Sequence, residues 1–456
     1  MEGGITVARN GSDKAYSGPN DPPSGSGMLQ LVEELYPIFR SITGSGVRQT
    51  LGVLQKYIPV EMREVPSGTQ VFDWTVPQEW NIRQAFIATL DGKRIVDFAA
   101  HNLHIVHYSE PMDRVVEIDE LRRHLHTIPD APEWVPYRTS YYSKSWGFCL
   151  SQKQLDRMTE PRYRVVIDSS LQDGHLTYGE LLVQGRCDET VLVSTHICHP
   201  SLANDNLSGI AVATALARCI SEPQPRYSYR FLFVPGTIGS LSWLATNEDK
   251  LQNIKYGLVL SCLGDAGDVT YKRSRQGTAP IDRIVSHVLG HDGRPSKIVP
   301  FTPFGYDERQ YCSPGIDLPV GCLMRTQPGG YPEYHTSADN PEYLRPDSLA
   351  HSLAILQQIV GVIEGDASYR NCSPKGEPQL GRRGLYRAMG GQSVVGDQQM
   401  ALLWVLNLSD GKHSMLDIAE QAGLPFASIR TAATALAATD LLAPLSNKLT
   451  VGVLPR

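Results

Sequence analysis

The sequence lacks the features that mark membrane, secreted and nucleic-acid-binding proteins. Its 456 residues contain no apolar run of 18 or more, so no transmembrane helix is predicted. The net charge of −6 provides no general excess of basic residues for neutralising phosphates. Residues 1–27 are rich in Gly, Ser, Pro and Asp and have no apolar segment typical of a signal peptide. We therefore expect a disordered leader.

Closely paired cysteines are also missing. The eight cysteines are scattered, and none forms the Cys-x-x-Cys spacing typical of structural zinc sites and redox motifs. Without a secretory signal we expect them to be reduced. Cys262 and Cys322 lie within apolar runs, where a free cysteine packs as a small hydrophobic residue. These features predict a cytoplasmic protein.

The apolar pattern predicts an α/β fold. From 151 to 365, short apolar runs alternate with helical segments, which indicates a mainly parallel sheet flanked by helices. Val191–Thr195 and Val320–Met324 are two of the predicted strands. The helical segments that begin at Met28 belong naturally beside this unit. The predicted core therefore comprises residues 28–58 and 151–365.

Two further modules are predicted around this core. Residues 59–150 contain short aromatic and β-branched runs separated by turn signals, which indicates an inserted, mostly-β domain. A polar linker is expected over 366–390. Three helical stretches and a hairpin over Leu441–Val453 then indicate a winged helix-turn-helix domain over 391–456.

The charge of the C-terminal domain argues against a nucleic-acid partner. From Asp397 to Arg456 there are four basic and five acidic residues. Binding of DNA requires the neutralisation of phosphates, which this composition does not supply. We expect the winged helix to serve packing or the formation of a homo-oligomer, with no nucleic acid and no membrane as partner.

Two histidines and an aspartate follow the strand Val191–Thr195. His196, His199 and Asp205 lie in a loop beyond its carboxyl end, where open α/β sheets place their ligand sites. Imidazole and carboxylate groups are the usual ligands of catalytic zinc. A role limited to loop hydrogen bonds and helix capping is the alternative. For His199, a ligand and a hydrogen-bonding neighbour of a ligand both remain open.

A second group of polar residues follows later strands. His335 lies between Tyr334 and Thr336, in a loop after the strand Val320–Met324. Asp307 and Glu308 form an acidic pair in the loop before that strand. A solvated ion cluster on the surface is the alternative for this pair.

The segments Ala203-Asn204-Asp205-Asn206-Leu207-Ser208-Gly209 and Tyr334-His335-Thr336 resemble co-catalytic zinc aminopeptidases of the leucyl aminopeptidase and glutaminyl cyclase type. The chain resembles more closely a bacterial aminopeptidase-like family with a small inserted domain and a C-terminal winged helix, often found with polysaccharide or natural-product biosynthesis genes. The resemblance covers nearly all of the chain beyond Met28. It implies that His196 and His335 are metal ligands and that Asp205 is the carboxylate that would bridge two metals.

The chain departs from the aminopeptidase pattern at several carboxylates. Gly236 and Thr237 stand where these enzymes carry a Glu-Glu pair, one a general base and the other a ligand. Cys198 stands where one aspartate is expected, and Ser261 and Cys262 stand near the end of the third strand, where a further aspartate ligand is expected. Two cations about 3.5–4 Å apart need several carboxylates to offset their repulsion. We therefore expect one zinc per chain.

The remaining residues predict a three-ligand zinc site with one open position, held by His196, Asp205 and His335. A hydrolytic site also needs a group that manages the proton of the attacking water. Glu308 is the first candidate, Asp307 the second, and Asp265 a third.

Three further residues are candidates for contact with the substrate. Tyr334 is a candidate donor to a developing oxyanion, with simple packing as the equal alternative. Arg325 and Arg275 are candidates for binding a substrate carboxylate, with solvated charges as the alternative. For the metal, Cys198 is a further and weaker candidate ligand.

The sequence thus predicts a zinc-dependent, aminopeptidase-like hydrolase. Its substrate would be a small peptide or an amide-linked metabolite of a biosynthetic pathway. A non-hydrolytic metal-binding scaffold is the alternative from another class. An acyl transferase or cyclase on the same core is a third interpretation.

Overall fold

The computed structural model describes residues 22–220, 223–385 and 396–445. The chain divides into two compact units. The first combines the described residues up to Gln276 with Val299–Leu353, and the second combines Gly277–Ile298 with those from Ala354 onward. Among the helices of these ranges, none has the length and apolar character needed to span a membrane.

Helices and strands follow each other along the chain with these bounds. The helices are α1 (Gly25–Leu35), α2 (Ser45–Leu54), α3 (Ile118–Leu121), α4 (Gln152–Asp156), α5 (Gly209–Ile220), α6 (Ile238–Thr246), α7 (Pro280–His291), α8 (Glu308–Tyr311), α9 (Pro346–Gly365), α10 (Asp397–Leu408), α11 (Met415–Ala422) and α12 (Phe426–Ala437). The strands are β1 (Glu61–Pro66), β2 (Gln70–Val71), β3 (Trp74–Thr75), β4 (Glu79–Ala88), β5 (Arg94–Asp97), β6 (Met112–Glu117), β7 (Leu125–His126), β8 (Phe148–Cys149), β9 (Arg162–Gln172), β10 (His175–Val183), β11 (Thr190–His196), β12 (Ser228–Val234), β13 (Ile254–Leu260), β14 (Val269–Lys272), β15 (Ser296–Val299), β16 (Val320–Met324), β17 (Ser368–Asn371), β18 (Asp410–Ser414) and β19 (Leu442–Pro444).

The large sheet of the first unit contains seven strands in the order β1-β10-β12-β11-β13-β16-β14. The central strands β12, β11, β13 and β16 run parallel, whereas the outer pairings are antiparallel. Every residue of β11 and β16 is buried. The apolar runs Val191–Val193 of β11 and Val320–Met324 of β16 suit this burial, because helices usually cover a parallel sheet on both faces. The predicted α/β fold with a mainly parallel sheet is confirmed.

The inserted module is rich in strands, but its bounds differ from the predicted 59–150. Strands β5, β4, β9 and β6 form a separate antiparallel sheet, so β9 extends the module to about residue 172. At the other end, β1 pairs with β10 and belongs to the large sheet. These partners are distant in sequence, and the local composition therefore carried no sign of the pairing.

Both ends of the chain also differ from the predicted bounds. Helix α1 begins at Gly25 inside the predicted leader, because the Ser24 hydroxyl accepts a hydrogen bond from the Gly27 N–H and caps the helix. Residues 1–21 of that leader lie outside the described residues. The predicted linker 366–390 contains β17, which pairs with both β18 and β19. The predicted hairpin Leu441–Val453 leaves the described residues at position 446.

The second unit contains the winged helix. Helices α10, α11 and α12 accompany the small sheet β18-β17-β19. Helix α7 belongs to the same unit, where Arg283 forms ion pairs with Asp417 and Glu420 of α11. The Phe426 N–H at the start of α12 donates to His287 Nε2 at 3.1 Å. The predicted three-helix arrangement is therefore present, with an additional helix from earlier in the chain.

Candidate metal centre

The three predicted ligands meet beyond the carboxyl ends of the parallel strands. His196 is the last residue of β11, and Asp205 lies in the turn before α5. His335 lies in the loop after β16, with a positive φ of 57°. Because β11 and β16 both run parallel to β13, the segments that follow them begin at the same edge of the sheet.

Two imidazoles contact opposite oxygens of one buried carboxylate. His196 Nε2 lies 2.8 Å from Asp205 Oδ1, and His335 Nε2 lies 2.9 Å from Asp205 Oδ2. The side chains of His196 and Asp205 are 0% and 1% exposed, whereas that of His335 is 33% exposed. The cluster therefore combines a buried interior with one side open to solvent.

His199 joins this cluster. Its Nδ1 atom lies 3.9 Å from Asp205 Oδ2 and has no hydrogen-bond partner among the described residues. Potential ligand atoms of His196, His199 and Asp205 lie within 4.8 Å of one another. A buried imidazole nitrogen without a partner is costly unless something else satisfies it. This geometry favours the ligand role that the sequence left open for His199.

The electrostatics of the cluster suit a cation. Burial lowers the pKa of His196 and of His199, which keeps these imidazoles neutral. Burial opposes ionisation of Asp205, but the hydrogen bonds from His196 and His335 favour the carboxylate, and the pKa of Asp205 is well below its usual range. Neutral imidazoles and an ionised carboxylate are the protonation states that metal ligation requires.

The asparagines that flank Asp205 fix the turn around it. The Asn204 side chain donates to Asp265 Oδ2 at 2.9 Å. The Asn206 amide donates to Thr195 Oγ1 at 2.8 Å and accepts from the Cys262 N–H at 3.2 Å. These bonds give the two asparagines of the segment Asn204-Asp205-Asn206 a structural role on either side of the carboxylate.

Asp265 is occupied elsewhere, which argues against its predicted role as a base. Besides Asn204, its carboxylate accepts hydrogen bonds from the Gly267 N–H and the Thr326 hydroxyl, both at 2.7 Å. These donors, together with the Thr326 N–H, engage both carboxylate oxygens of Asp265. Asp265 therefore supports the turn.

The acidic pair Asp307 and Glu308 is buried, so the interpretation as a solvated surface cluster is wrong. The two residues are 2% and 0% exposed. Glu308 forms an ion pair with Lys272 and accepts hydrogen bonds from the Tyr306 N–H at 3.1 Å. Asp307 Oδ1 accepts from the Thr237 N–H at 2.8 Å and the Ser240 hydroxyl at 3.1 Å. Asp307 Oδ2 has no hydrogen-bond partner among the described residues.

Tyr306 and Cys198 lie beside His196 and Gly236, respectively. The Tyr306 ring stacks on His196 with centroids 3.5 Å apart. Its hydroxyl lies 3.6 Å from Cys198 Sγ, which accepts a hydrogen bond from the Gly236 N–H at 3.2 Å. Burial raises the pKa of the Cys198 thiol to about 11, so it stays protonated. Cys198 is thus a buried thiol in this structure, and its role as a metal ligand stays a prediction.

A cavity adjoins the cluster on the side of Tyr306. It has a volume of about 260 Å³, and its lining includes Tyr306, Lys272, Glu308, Phe304 and Met324. The ion pair of Lys272 and Glu308 supplies the charged part of a lining that is otherwise largely apolar. The cavity is connected to the ligand cluster through Tyr306, which stacks on His196.

The predicted contacts with the substrate have different outcomes. Tyr334 stacks on His335, with centroids 4.0 Å apart and an angle of 12°, so it lies at the cluster. Arg275 instead pairs with Asp317. The buried Arg325 guanidinium lies 3.3 Å from His351 Nδ1. Neither arginine lines the cavity beside Tyr306.

The inserted module contributes a residue that the sequence did not reveal. Tyr137 packs edge-on against both His199 and His335, with ring centroids 5.2 and 5.1 Å apart. Its N–H donates to the His335 carbonyl at 2.8 Å. No local pattern marks Tyr137, because its role depends on a loop almost two hundred residues later in the sequence.

Comparisons with known proteins agree with this architecture. The family described as a domain of unknown function (DUF4910) matches residues 29–366, and a winged helix-turn-helix family matches residues 367–444. A Clostridium acetobutylicum protein, provisionally named a polysaccharide biosynthesis protein with aminopeptidase-like domain, is 51% identical over 93% of this chain and 97% of its own.

Solved structures give the same result for the fold. A crystal structure from Clostridium acetobutylicum, provisionally named a peptidase, has a TM-score of 0.88 and 50% identity over 92% of this chain and 96% of its own. The zinc aminopeptidase BSAP of Bacillus subtilis has a TM-score of 0.55 and 13% identity, covering 75% of this chain and 96% of its own. The predicted resemblance, an aminopeptidase-like core followed by a winged helix, is confirmed.

Proposed function

Because the chain belongs to the family described as a domain of unknown function (DUF4910), we propose a function from its own site: zinc-dependent hydrolysis of an amide bond in a small peptide or amide-linked metabolite. A biosynthetic role and a cytoplasmic location stay predictions of the sequence.

The unpartnered nitrogen of His199 carries the zinc assignment. It faces the Asp205 oxygen that His335 also contacts, while His196 contacts the other oxygen. Nitrogen and carboxylate donors of this kind suit zinc. His196, Asp205 and His335 would hold the ion, with His199 as an additional ligand. When bound, zinc supplies a Lewis acid that polarises the amide carbonyl.

One zinc per chain fits these donors better than two. The cluster has a single carboxylate, Asp205, and the positions of the Glu-Glu pair hold Gly236 and Thr237. A second cation at a distance of about 3.5–4 Å would meet repulsion that one carboxylate does not offset. The proposed centre is therefore mononuclear.

Asp307 is a better candidate than Glu308 for the group that accepts the proton of water. Glu308 is held in an ion pair with Lys272, whereas Asp307 Oδ2 is free of hydrogen bonds within the described residues. Burial raises the pKa of Asp307 to about 7, close to the value that suits a general base at neutral pH. Asp307 also accepts a hydrogen bond from the N–H of Thr237. Thr237 stands at one of the two positions where the aminopeptidase pattern has glutamate.

Metal analysis with a matched variant tests this proposal. We expect about one zinc per wild-type chain after loading, and loss of zinc in His335→Ala because a ligand is removed. His413→Ala is the control, since His413 lies in the winged helix and pairs with Asp410. Zinc-loaded protein is then assayed with aminoacyl 4-nitroanilides and N-acetyl amino acids.

The outcomes separate the alternative functions. A wild-type chain that takes up no zinc would contradict the hydrolase. Zinc uptake without hydrolysis would favour the non-hydrolytic scaffold, an alternative that the absence of both glutamates supports. Transfer of an acyl group to an added amine, without hydrolysis, would favour the acyl transferase or cyclase.

A further inference from the structure

Another cavity lies wholly within the second unit. It has a volume of about 410 Å³ and is lined by side chains of α7, of α9 and of the start of α12. Every residue that lines it belongs to this unit. Pockets of about 300–1,000 Å³ are typical of binding sites for small molecules. The size of this cavity therefore suits a small-molecule ligand.

The lining of this cavity is apolar at its floor and polar at its rim. The lining residues Val288, Val362 and Phe426 are buried, whereas Gln358 and Arg430 are exposed. Among the described residues that line the cavity, none is acidic. A ligand with an apolar body would bury that body against the floor and present a polar group to the rim.

The Arg430 guanidinium is a positive charge that lacks a counter-ion within the described part of the chain. The acidic side chains of α11 pair with Arg283 instead. A Cβ atom at Gly365 would lie 3.2 Å from both Arg430 Cδ and Phe426 Cε1, so the arginine stem runs beside the apolar floor. A guanidinium in this position suits a carboxylate, which it binds through two parallel hydrogen bonds.

His287 supplies a hydrogen-bond donor to the same cavity. It is 7% exposed, and its Nε2 atom accepts the Phe426 N–H at 3.1 Å. Nε2 therefore carries the lone pair, and the proton of the neutral imidazole is on Nδ1. Burial lowers the pKa of His287 to about 4, so the ring stays neutral at physiological pH. No described residue bonds Nδ1, which leaves this N–H for an acceptor in the cavity.

We propose that this cavity binds a small molecule with one carboxylate on an apolar body. The carboxylate pairs with Arg430 at the rim, and the apolar body packs against Phe426 and Val288. An uncharged ligand would leave the guanidinium without a counter-ion. The metal ligands belong to the first unit and the lining of this cavity to the second, so the inference goes beyond the proposed hydrolase function and does not require it.

The charge of the ligand is tested with 3-phenylpropanoate and its uncharged analogue 3-phenylpropanamide, titrated into the full-length chain and observed by NMR. We expect saturable binding of the carboxylate and about tenfold weaker binding of the amide, which cannot form charge-assisted hydrogen bonds. Arg430→Met should weaken binding of the carboxylate about tenfold and leave that of the amide unchanged. Arg294→Met is the matched control, because Arg294 is an exposed arginine of the same unit that does not line the cavity.

The position of the site is tested with Gly361→Leu. Gly361 lies on α9 and lines the cavity, and a Cβ atom there would meet no heavy atom within 4 Å. A leucine therefore has room to fill the cavity, and it favours the helix more than glycine does. We expect binding of 3-phenylpropanoate to be lost. Gly290→Leu is the control, because Gly290 lies on α7 with equal space at its Cβ but does not line the cavity.

Three results would overturn the inference. The first is the absence of saturable binding of 3-phenylpropanoate to wild type at up to about 10 mM. The second is equal affinity for the carboxylate and the amide, which would exclude a role of the charge. The third is binding that Gly361→Leu does not change, which would place the probe elsewhere, including at the metal centre. Urea unfolding checks that both glycine variants fold, and Arg430→Met decides the question if Gly361→Leu does not.

Discussion

Asp339 holds Asp205 in position through the backbone of the turn before α5. Its two carboxylate oxygens accept hydrogen bonds from the Asn204 N–H at 2.6 Å and the Asp205 N–H at 3.0 Å. Asp339 is fully buried, and its carbonyl also accepts from the Ala203 N–H. The turn before α5 is thus tied to the loop that carries His335, so the two loops hold each other in position.

The buried carboxyl group of Asp307 should make the stability of the fold depend on pH. This effect can be measured without a substrate. Burial raises the pKa of Asp307 to about 7, with Glu308 opposing its ionisation and Arg309 favouring it. The unfolded pKa is near 3.9, so the folded chain keeps this proton more tightly and loses stability as the pH rises from about 4 to 7. Between pH 5 and pH 8, the free energy of unfolding of the wild type should fall by about 3 kcal/mol relative to that of Asp307→Asn.

Urea unfolding at pH 5 and pH 8 measures this difference. Asn at position 307 retains an acceptor for the Thr237 N–H, so the comparison isolates the ionisable group. Ser240→Ala, which removes a second donor to the same carboxylate, should increase the pH dependence. A difference between wild type and Asp307→Asn that does not change with pH would contradict the prediction.

At the scale of elements, the predictable residues are those that directly follow a buried strand. His196 is the last residue of a strand with an apolar run. In an α/β fold the carboxyl ends of the parallel strands lie at one edge of the sheet, where ligands bind. Tyr306 and Tyr137 were not predicted to reach the ligands, because each comes from a loop whose path depends on tertiary packing. Asp307 was expected near the site, but neither its burial nor its bond to Thr237 has a sequence signal.

The segment of the inserted module around Tyr137 braces the His335 loop. The Val135 N–H donates to the Ser337 hydroxyl at 2.9 Å, and the Ser337 N–H donates to the Val135 carbonyl at 2.9 Å. Together with the bond from Tyr137 to His335, these contacts form a short antiparallel bridge. The bridge restrains a ligand that is otherwise partly exposed.

Tyr137→Leu should therefore weaken zinc binding. Residues that orient metal ligands typically contribute about 10–100-fold in affinity, and we expect a loss in this range from zinc titration against a competing chelator. Tyr142→Leu is the control, because Tyr142 is half exposed and contacts Trp74 instead of the ligands. Tyr137→Phe should retain most of the affinity, since its ring still packs on both imidazoles. Equal zinc affinity in all four proteins would show that the module does not support the site.

At the scale of the whole molecule, the order of the modules was predictable and their bounds were not. The alternation of strands and helices identified the core, and the three C-terminal helices identified the winged helix. The bounds depend on pairings such as β17 with β18 and β4 with β9, which join distant segments. The assignment of α7 to the second unit likewise has no sequence signal.

From the few basic residues of the winged helix, we expect that the full-length chain does not bind duplex DNA. Helix α12, in the position of a recognition helix, has Arg430 as its one basic residue, and its exposed positions include Ala427 and Thr431. Non-specific binding depends on phosphate neutralisation, so a surface of this kind lacks the main source of affinity. Fluorescence anisotropy with a labelled duplex should show no saturable binding at about 150 mM salt.

Arg430→Glu distinguishes this outcome from weak electrostatic binding. If α12 does not contact DNA, reversing its one positive charge leaves the anisotropy unchanged at low and at high salt. Binding that weakens with salt and disappears in Arg430→Glu would contradict the prediction, because that pattern is the signature of phosphate contacts by this helix. Lys250→Glu is a matched charge reversal in the first unit, where Lys250 bonds Asn247. It should leave the anisotropy unchanged in either case, so that only an effect specific to Arg430 would assign DNA binding to the winged helix.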